Sequence, residues 1–167
     1  MKSALILYAT SRGRTKKVVK RLAAKFEGQI AVNIAEIKTV NLETLPTYDL
    51  IVAGSPTYGL GDLHPAWHPV APSVTALDLH TVSVALFALG DQRYHGKTFG
   101  GSLNHLYTIF TQTGAKKVGK TSYEAYKINH CPALAPDGSL PGLLLDEISQ
   151  RHLSPQRIAA WVKIILA

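Results

Sequence analysis

Three short stretches hold the residue types that could do chemistry. The first, Ala9-Thr10-Ser11-Arg12-Gly13-Arg14-Thr15, stands between an apolar run and a helix-period stretch. Hydroxyls and free backbone N–H groups at the positive end of a helix suit a phosphate. Thr10, Ser11 and Thr15 supply side-chain donors, and Gly13 permits a left-handed turn or close ligand approach. The pattern is neither Gly-x-Gly-x-x-Gly nor the triphosphate P-loop, which argues against a dinucleotide or ATP. The bland alternative is that the threonine and serine only cap the helix. The second stretch, Pro56-Thr57-Tyr58-Gly59-Leu60-Gly61-Asp62, sets a ring and two glycines behind another apolar run. A ring there invites a planar ligand, although packing of Tyr58 on its neighbours is the plainer reading. The third, Leu89-Gly90-Asp91-Gln92-Arg93-Tyr94-His95, repeats the theme, with Phe99 close behind. Two rings can sandwich one flat heterocycle, and Tyr94 ranks narrowly ahead of His95 as the second.

These stretches are far apart in sequence, so the elements between them must bring them together. Ala4–Tyr8 is apolar without alternation, the mark of a strand buried on both faces. Val18, Val19, Leu22, Ala23 and Phe26 then recur at helical spacing, and Gly28 ends that helix. Further strands are expected at about 30–34, 50–55 and 82–89, and Phe99, Leu103, Leu106, Tyr107 and Phe110 mark a long amphipathic helix. Segments 117–121 and 143–145 read as two pieces of a fifth strand, separated by an irregular stretch containing Pro132, Pro136, Gly138 and Pro141. Ser154-Pro155 reads as an N-cap and first helical residue, opening a helix with Ile158, Trp161, Val162 and Ile165 on one face. Alternating strands and helices predict one α/β domain over residues 1–167, a doubly wound five-stranded parallel sheet with helices on both faces. Strand order 2-1-3-4-5 puts the loops after strands one, three and four side by side at the switch point.

Composition narrows the function. With 167 residues and 46% hydrophobic content, the chain can bury a core without staples. No apolar run reaches the roughly 20 residues of a membrane span, and the first residues lack a signal-peptide pattern, so a cytoplasmic protein is expected, with no membrane insertion. Cys131 is the sole cysteine, which excludes an internal disulfide or a thiolate zinc site. The seven histidines are scattered without metal-ligand spacing, and no nucleophile–His–acid arrangement supports a hydrolase. The net charge of +7 is concentrated early, in Arg12, Arg14, Lys16, Lys17, Lys20, Arg21 and Lys25. A solvated helix face accounts for such a run, and docking to an acidic protein is the functional alternative. Nothing in the pattern supports nucleic acid as a partner.

Over its whole length the sequence resembles the flavodoxin family. Thr10-Ser11-Arg12-Gly13-Arg14-Thr15 is similar to the family's Thr/Ser-x-Thr-Gly-x-Thr phosphate loop, Gly54-Ser55-Pro56-Thr57-Tyr58 to its Gly-x-Pro-Thr-aromatic loop, and Gly90-Asp91-Gln92 to its Gly-Asp-Gln loop. Leu143-Leu144-Leu145-Asp146-Glu147 and Arg157-Ile158-Ala159-Ala160-Trp161 resemble its C-terminal stretch, and the broken fifth strand resembles its long-chain branch. The resemblance implies non-covalently bound FMN and low-potential one-electron transfer between redox proteins. It implies phosphate contacts from Thr10, Ser11, Gly13 and Thr15, ring contacts from Thr57, Tyr58 and Gly59, and pyrimidine contacts from Asp91 and Gln92. Pro56, Leu60, Gly61, Leu89, Gly90, Tyr94, His95 and Phe99 complete the expected pocket. Arg12 and Arg14 stand where the family usually has threonine and asparagine, and they are expected to face solvent. The family is mostly acidic, so a basic chain implies redox partners with acidic docking surfaces. A monomer is expected. Two alternatives stay open: an FMN-dependent oxidoreductase passing electrons from NAD(P)H to a quinone, and a flavodoxin-shaped binding module without flavin.

Overall fold

The computed structural model describes residues 1–124, 126 and 130–167. Along the chain run β1 (Ser3–Tyr8), α1 (Arg14–Phe26), β2 (Ala31–Glu36), β3 (Leu50–Pro56), α2 (Ala71–Thr75), β4 (Ser83–Gly90) and α3 (Gly101–Gln112). Then come β5 (Lys116–Val118), β6 (Thr121–Ser122), β7 (Ser139–Leu140), β8 (Gly142–Asp146) and α4 (Ser154–Leu166). The main sheet is parallel in the order β2-β1-β3-β4-β5, with β8 also paired to β4. The fifth place is thus shared. β5 lies beside Ser83–Ala85, and β8 continues the edge beside Leu86–Gly90.

Period-two alternation explains why helices cover both faces. Leu5, Leu7, Ile51, Ala53, Val84 and Leu86 point into one core with Leu103, Leu106 and Phe110 of α3. Ala4, Ile6, Leu50, Val52, Ala85 and Phe87 point into the other, against Val18, Leu22 and Phe26 of α1 and Ile158, Trp161 and Ile165 of α4. Burying both faces at roughly 25 cal/mol per Å² of apolar surface makes these cores the main stabilising term. The central strands therefore fix where their carboxyl ends lie.

The structure corrects the sequence reading at three places. Thr121 leaves the fifth strand and pairs antiparallel with Leu140 in the two-stranded ribbon β6-β7. Ser154 is the first residue of α4 rather than its cap, with no side-chain cap at the helix start and its own hydroxyl buried. Tyr107, placed on the apolar stripe of α3, is 37% exposed and lies under the Lys117 ammonium.

Candidate functional site

The carboxyl ends of β1, β3 and β4 meet where the strand order reverses, opposite Glu36, Gly54, Leu89 and Asp146 in register. The turn after β1 is built by Thr10, whose Oγ1 accepts the Gly13 N–H at 3.1 Å. Gly13 has φ 81°, the left-handed conformation that a side chain would strain, and it is the N-cap of α1. No side chain caps α1, and its first turn holds no acidic residue. The N–H groups of Arg14, Thr15 and Lys16 lie outside helical bonding, so this end offers donors and positive potential to an anion. Thr15 is buried at the base of this turn, whereas Ser11 and Arg12 are exposed.

Beyond β3 the chain is tied down from both sides. Thr57 N–H donates to Leu89 O at 2.8 Å, and Thr57 Oγ1 shares a 2.7 Å hydrogen bond with Ser102 Oγ of α3. Tyr58 and Asp62 exchange backbone bonds of 2.9 and 2.8 Å, closing a tight turn with Leu60 at its exposed tip. Gly61 in that turn sits against the first residue of α3, so closely that a Cβ on Gly101 would lie 2.2 Å from Gly61 O. Tyr58 turns its hydroxyl toward the first loop, donating to Ser11 Oγ at 2.6 Å, and its ring meets His64 edge-on at 4.9 Å.

The loop after β4 is shaped by its own acid. Asp91 Oδ1 accepts the N–H groups of Arg93 at 3.0 Å and Tyr94 at 3.3 Å, a local turn that holds the rings in place. The loop is also anchored to β8, because Gln92 N–H donates to Asp146 Oδ2 at 3.1 Å. Asp146 is fully buried and also accepts from the N–H groups of Ile148 and Ser149 and from the Ser149 hydroxyl. Burial opposes its charge, yet these donors together hold the carboxyl below the usual carboxylate range.

Between these loops lies a cavity of about 330 Å³. Pro56, Thr57 and Gly59 form one side, and Leu89, Gly90, Asp91 and His95 another, with buried Phe99 below. Arg14 closes the end nearest α1. It is exposed, as expected, but it belongs to the wall and does not simply face solvent. His95, itself exposed, lines the cavity, while Tyr94 is 70% exposed with the Arg93 guanidinium 5.5 Å from its ring centroid. Of the other residues expected at the site, Thr10, Ser11, Arg12, Gly13, Thr15, Tyr58, Leu60, Gly61 and Gln92 do not line the cavity.

Three lining residues escape the sequence reading, namely Thr98, Glu147 and Ile148. Glu147 is held by Arg21 across 3.2 Å and is nearly buried. The signal was available: a strand piece at Leu143–Leu145 beside β4 must deliver the following residues to the same edge. His64 is a fourth omission. It is buried, with Ser11 Oγ and the Ala66 N–H at its two ring nitrogens. His68 and His105 also converge, with Nε2 atoms 3.4 and 3.8 Å from the Asp62 carboxylate. Among the described residues no group of three or more His, Cys, Asp or Glu side chains is arranged to hold a metal ion, and no helix is long and apolar enough to cross a membrane.

A parallel sheet of this order with a cavity at its switch point defines the doubly wound class of α/β protein, in which ligands bind outside the carboxyl ends of the strands. The chain belongs to the flavodoxin family, whose model matches residues 6–161. It is 31% identical over 166 residues to a flavodoxin of Enterobacter agglomerans, covering 95% of this chain and 93% of that protein. It is 29% identical over 160 residues to Flavodoxin 1 of Escherichia coli K12, covering 96% and 90%. Among solved structures, the Fusobacterium nucleatum flavodoxin bound to flavin mononucleotide superposes with a TM-score of 0.90 at 29% identity, over 98% of this chain and 96% of that one. The K13G mutant of that protein, also bound to flavin mononucleotide, gives 0.91 at 30% identity, covering 99% and 95%.

Proposed function

We propose that this chain carries single electrons between redox proteins on non-covalently bound FMN. The observation that carries the reading is the cavity itself, flanked by the uncapped end of α1 and walled by three converging loops. Its volume, about 330 Å³, is at the lower end of the range for small-molecule sites. The first loop supplies donors for a phosphate: the backbone N–H groups of the first turn of α1, which no side chain caps, the exposed hydroxyl residue Ser11, and Arg14 at the cavity wall. The remaining lining suits a flat ring, with Pro56, Thr57 and Gly59 from one loop, Leu89, Gly90, Asp91 and His95 from another, and the aromatic Phe99. FMN supplies the redox chemistry when bound, and the protein supplies position and electrostatic environment.

The basic face supports an acidic partner. Lys16, Lys17 and Lys20 are exposed on α1, as are Arg12 in the preceding turn and Arg14 at the cavity wall. A cationic face beside the electron-exit site steers an anionic surface into contact and weakens as salt rises. The protein works as a monomer in the cytoplasm in this reading. Titration of the flavin-free protein with FMN tests it: stoichiometric quenching of flavin fluorescence is expected, without NAD(P)H oxidation in the absence of a partner protein. Turnover of NAD(P)H by the isolated flavoprotein would make it an oxidoreductase, and unquenched FMN would remove the cofactor.

A further inference from the structure

His64 is fastened on every side. Its backbone N–H donates to Ser55 Oγ at 3.0 Å, and its Nδ1 accepts the Ala66 N–H at 3.1 Å, capping the short 3-10 turn Pro65–Trp67. Its Nε2 lies 2.6 Å from Ser11 Oγ in the first loop. Trp67, fully buried, anchors that turn to Gly54 O.

These contacts decide where the protons are. A nitrogen that accepts a backbone N–H carries no proton, so the neutral ring is the Nε2–H tautomer. Nε2–H therefore donates to Ser11 Oγ. The Tyr58 hydroxyl donates to the same oxygen at 2.6 Å. A hydroxyl has two lone pairs and one proton. Both lone pairs of Ser11 are taken, and no acceptor among the described residues takes its proton. Burial, with a contribution from Lys38, holds the imidazole below its ordinary pKa and keeps it neutral near pH 7, against the pull of Glu36.

We propose that His64 is a positioning residue for the cofactor phosphate: by occupying one lone pair of the exposed Ser11 it leaves that hydroxyl's proton free to donate to the anion, and it steadies the hydroxyl end of Tyr58. The inference rests on the FMN reading and adds to it. One imidazole joins the turn after β1 to the chain beyond β3. Without the Nε2–H donor, Ser11 is free to rotate and to turn a lone pair toward the anion.

Comparison of FMN with riboflavin, which lacks the phosphate, separates positioning from general damage. Fluorescence titrations of the wild type, H64F, H64Q, S11A and the double variant S11A/H64F are the experiment. A hydrogen bond to an ionised group supports an expected loss of FMN affinity of about tenfold in H64F, with riboflavin changed by no more than about twofold. H64Q retains an N–H donor and an acceptor, and is expected to recover FMN binding to within about threefold of wild type. Adding H64F to S11A is expected to cause no further loss. Equal weakening of both flavins, unchanged FMN affinity in H64F, or multiplying effects in the double variant would each overturn the proposal. A measurement on the wild type stands beside these in case H64F does not fold. Nitrogen-15 NMR of the imidazole at pH 7 is expected to show the neutral Nε2–H form, and the Nδ1–H form or an imidazolium would overturn the proposal. Wild-type protein that binds neither flavin would instead overturn the FMN reading beneath it.

Discussion

Replacing Asp146 with asparagine should loosen the junction on which the cavity is built. The carboxylate is fully buried and accepts the N–H groups of Gln92 at 3.1 Å, Ile148 at 3.0 Å and Ser149 at 2.8 Å, besides the Ser149 hydroxyl. Asparagine keeps the volume and one oxygen, which still serves Ile148 and Ser149. Its amide group then faces the Gln92 N–H, donor against donor. A buried donor left unsatisfied costs about 1–3 kcal/mol, and the two surviving bonds fall from charge-assisted to neutral strength, about 1 kcal/mol each. Relief from burying a charge offsets part of this, leaving a net loss of about 3 kcal/mol. For a chain of this size that lowers Tm by roughly 6–12 °C. Denaturant unfolding of the flavin-free D146N protein at pH 7 is the assay, so that ligand linkage does not enter. The acid limb supplies a sign test. Because the folded protein holds this carboxyl below its ordinary value, its contribution is present above about pH 3.8 and disappears as pH falls through the folded value. The gap between wild type and D146N should therefore narrow on acidification. A variant within about 0.5 kcal/mol of wild type at pH 7, the range of neutral surface changes, would refute the reasoning.

Gly101→Ala should be disruptive despite its small size, because the added Cβ would lie 2.2 Å from the Gly61 carbonyl. Loop or helix must shift, at about 1–3 kcal/mol, and thermal melting together with FMN titration should show lower stability and weaker binding. Burial pushes the Tyr126 hydroxyl, which donates to Leu144 O, up to about 12 against the pull of Arg157. The neutral hydroxyl's contribution is complete below pH 10 and lost as pH rises toward 12, so Y126F should flatten the alkaline decline of stability by on the order of 2 kcal/mol. Electron transfer to an acidic carrier should slow with added salt, and K16E/K20E, measured by stopped flow, should abolish most of that salt dependence.

The framework was legible in the sequence because its signals are redundant. Ala4–Tyr8 and 82–89 are apolar on both alternations, which only a doubly covered sheet explains, and the α1 stripe from Val18 to Phe26 matches the buried face observed. The three loops were legible because glycines and hydroxyls cluster at strand ends. Side-chain direction was not. Tyr94 and His95 are adjacent, and nothing in their order tells that His95 lines the cavity while Tyr94, beyond the turn that Asp91 ties, does not. Asp91 itself reads as a ligand contact, yet one of its oxygens accepts from its own loop. His64 was missed because its partner Ser11 lies 53 residues away on another loop, and no spacing in the sequence joins them. Glu147 was missed for the related reason that its place depends on β8 completing the edge begun by β5.

Stepwise reduction of the FMN-loaded protein, followed by its visible spectrum, tests the electron-carrier reading most directly. Two resolved one-electron steps from a tightly held flavin are the predicted result. A single two-electron step, or flavin that filters away from the protein before reduction begins, would contradict it.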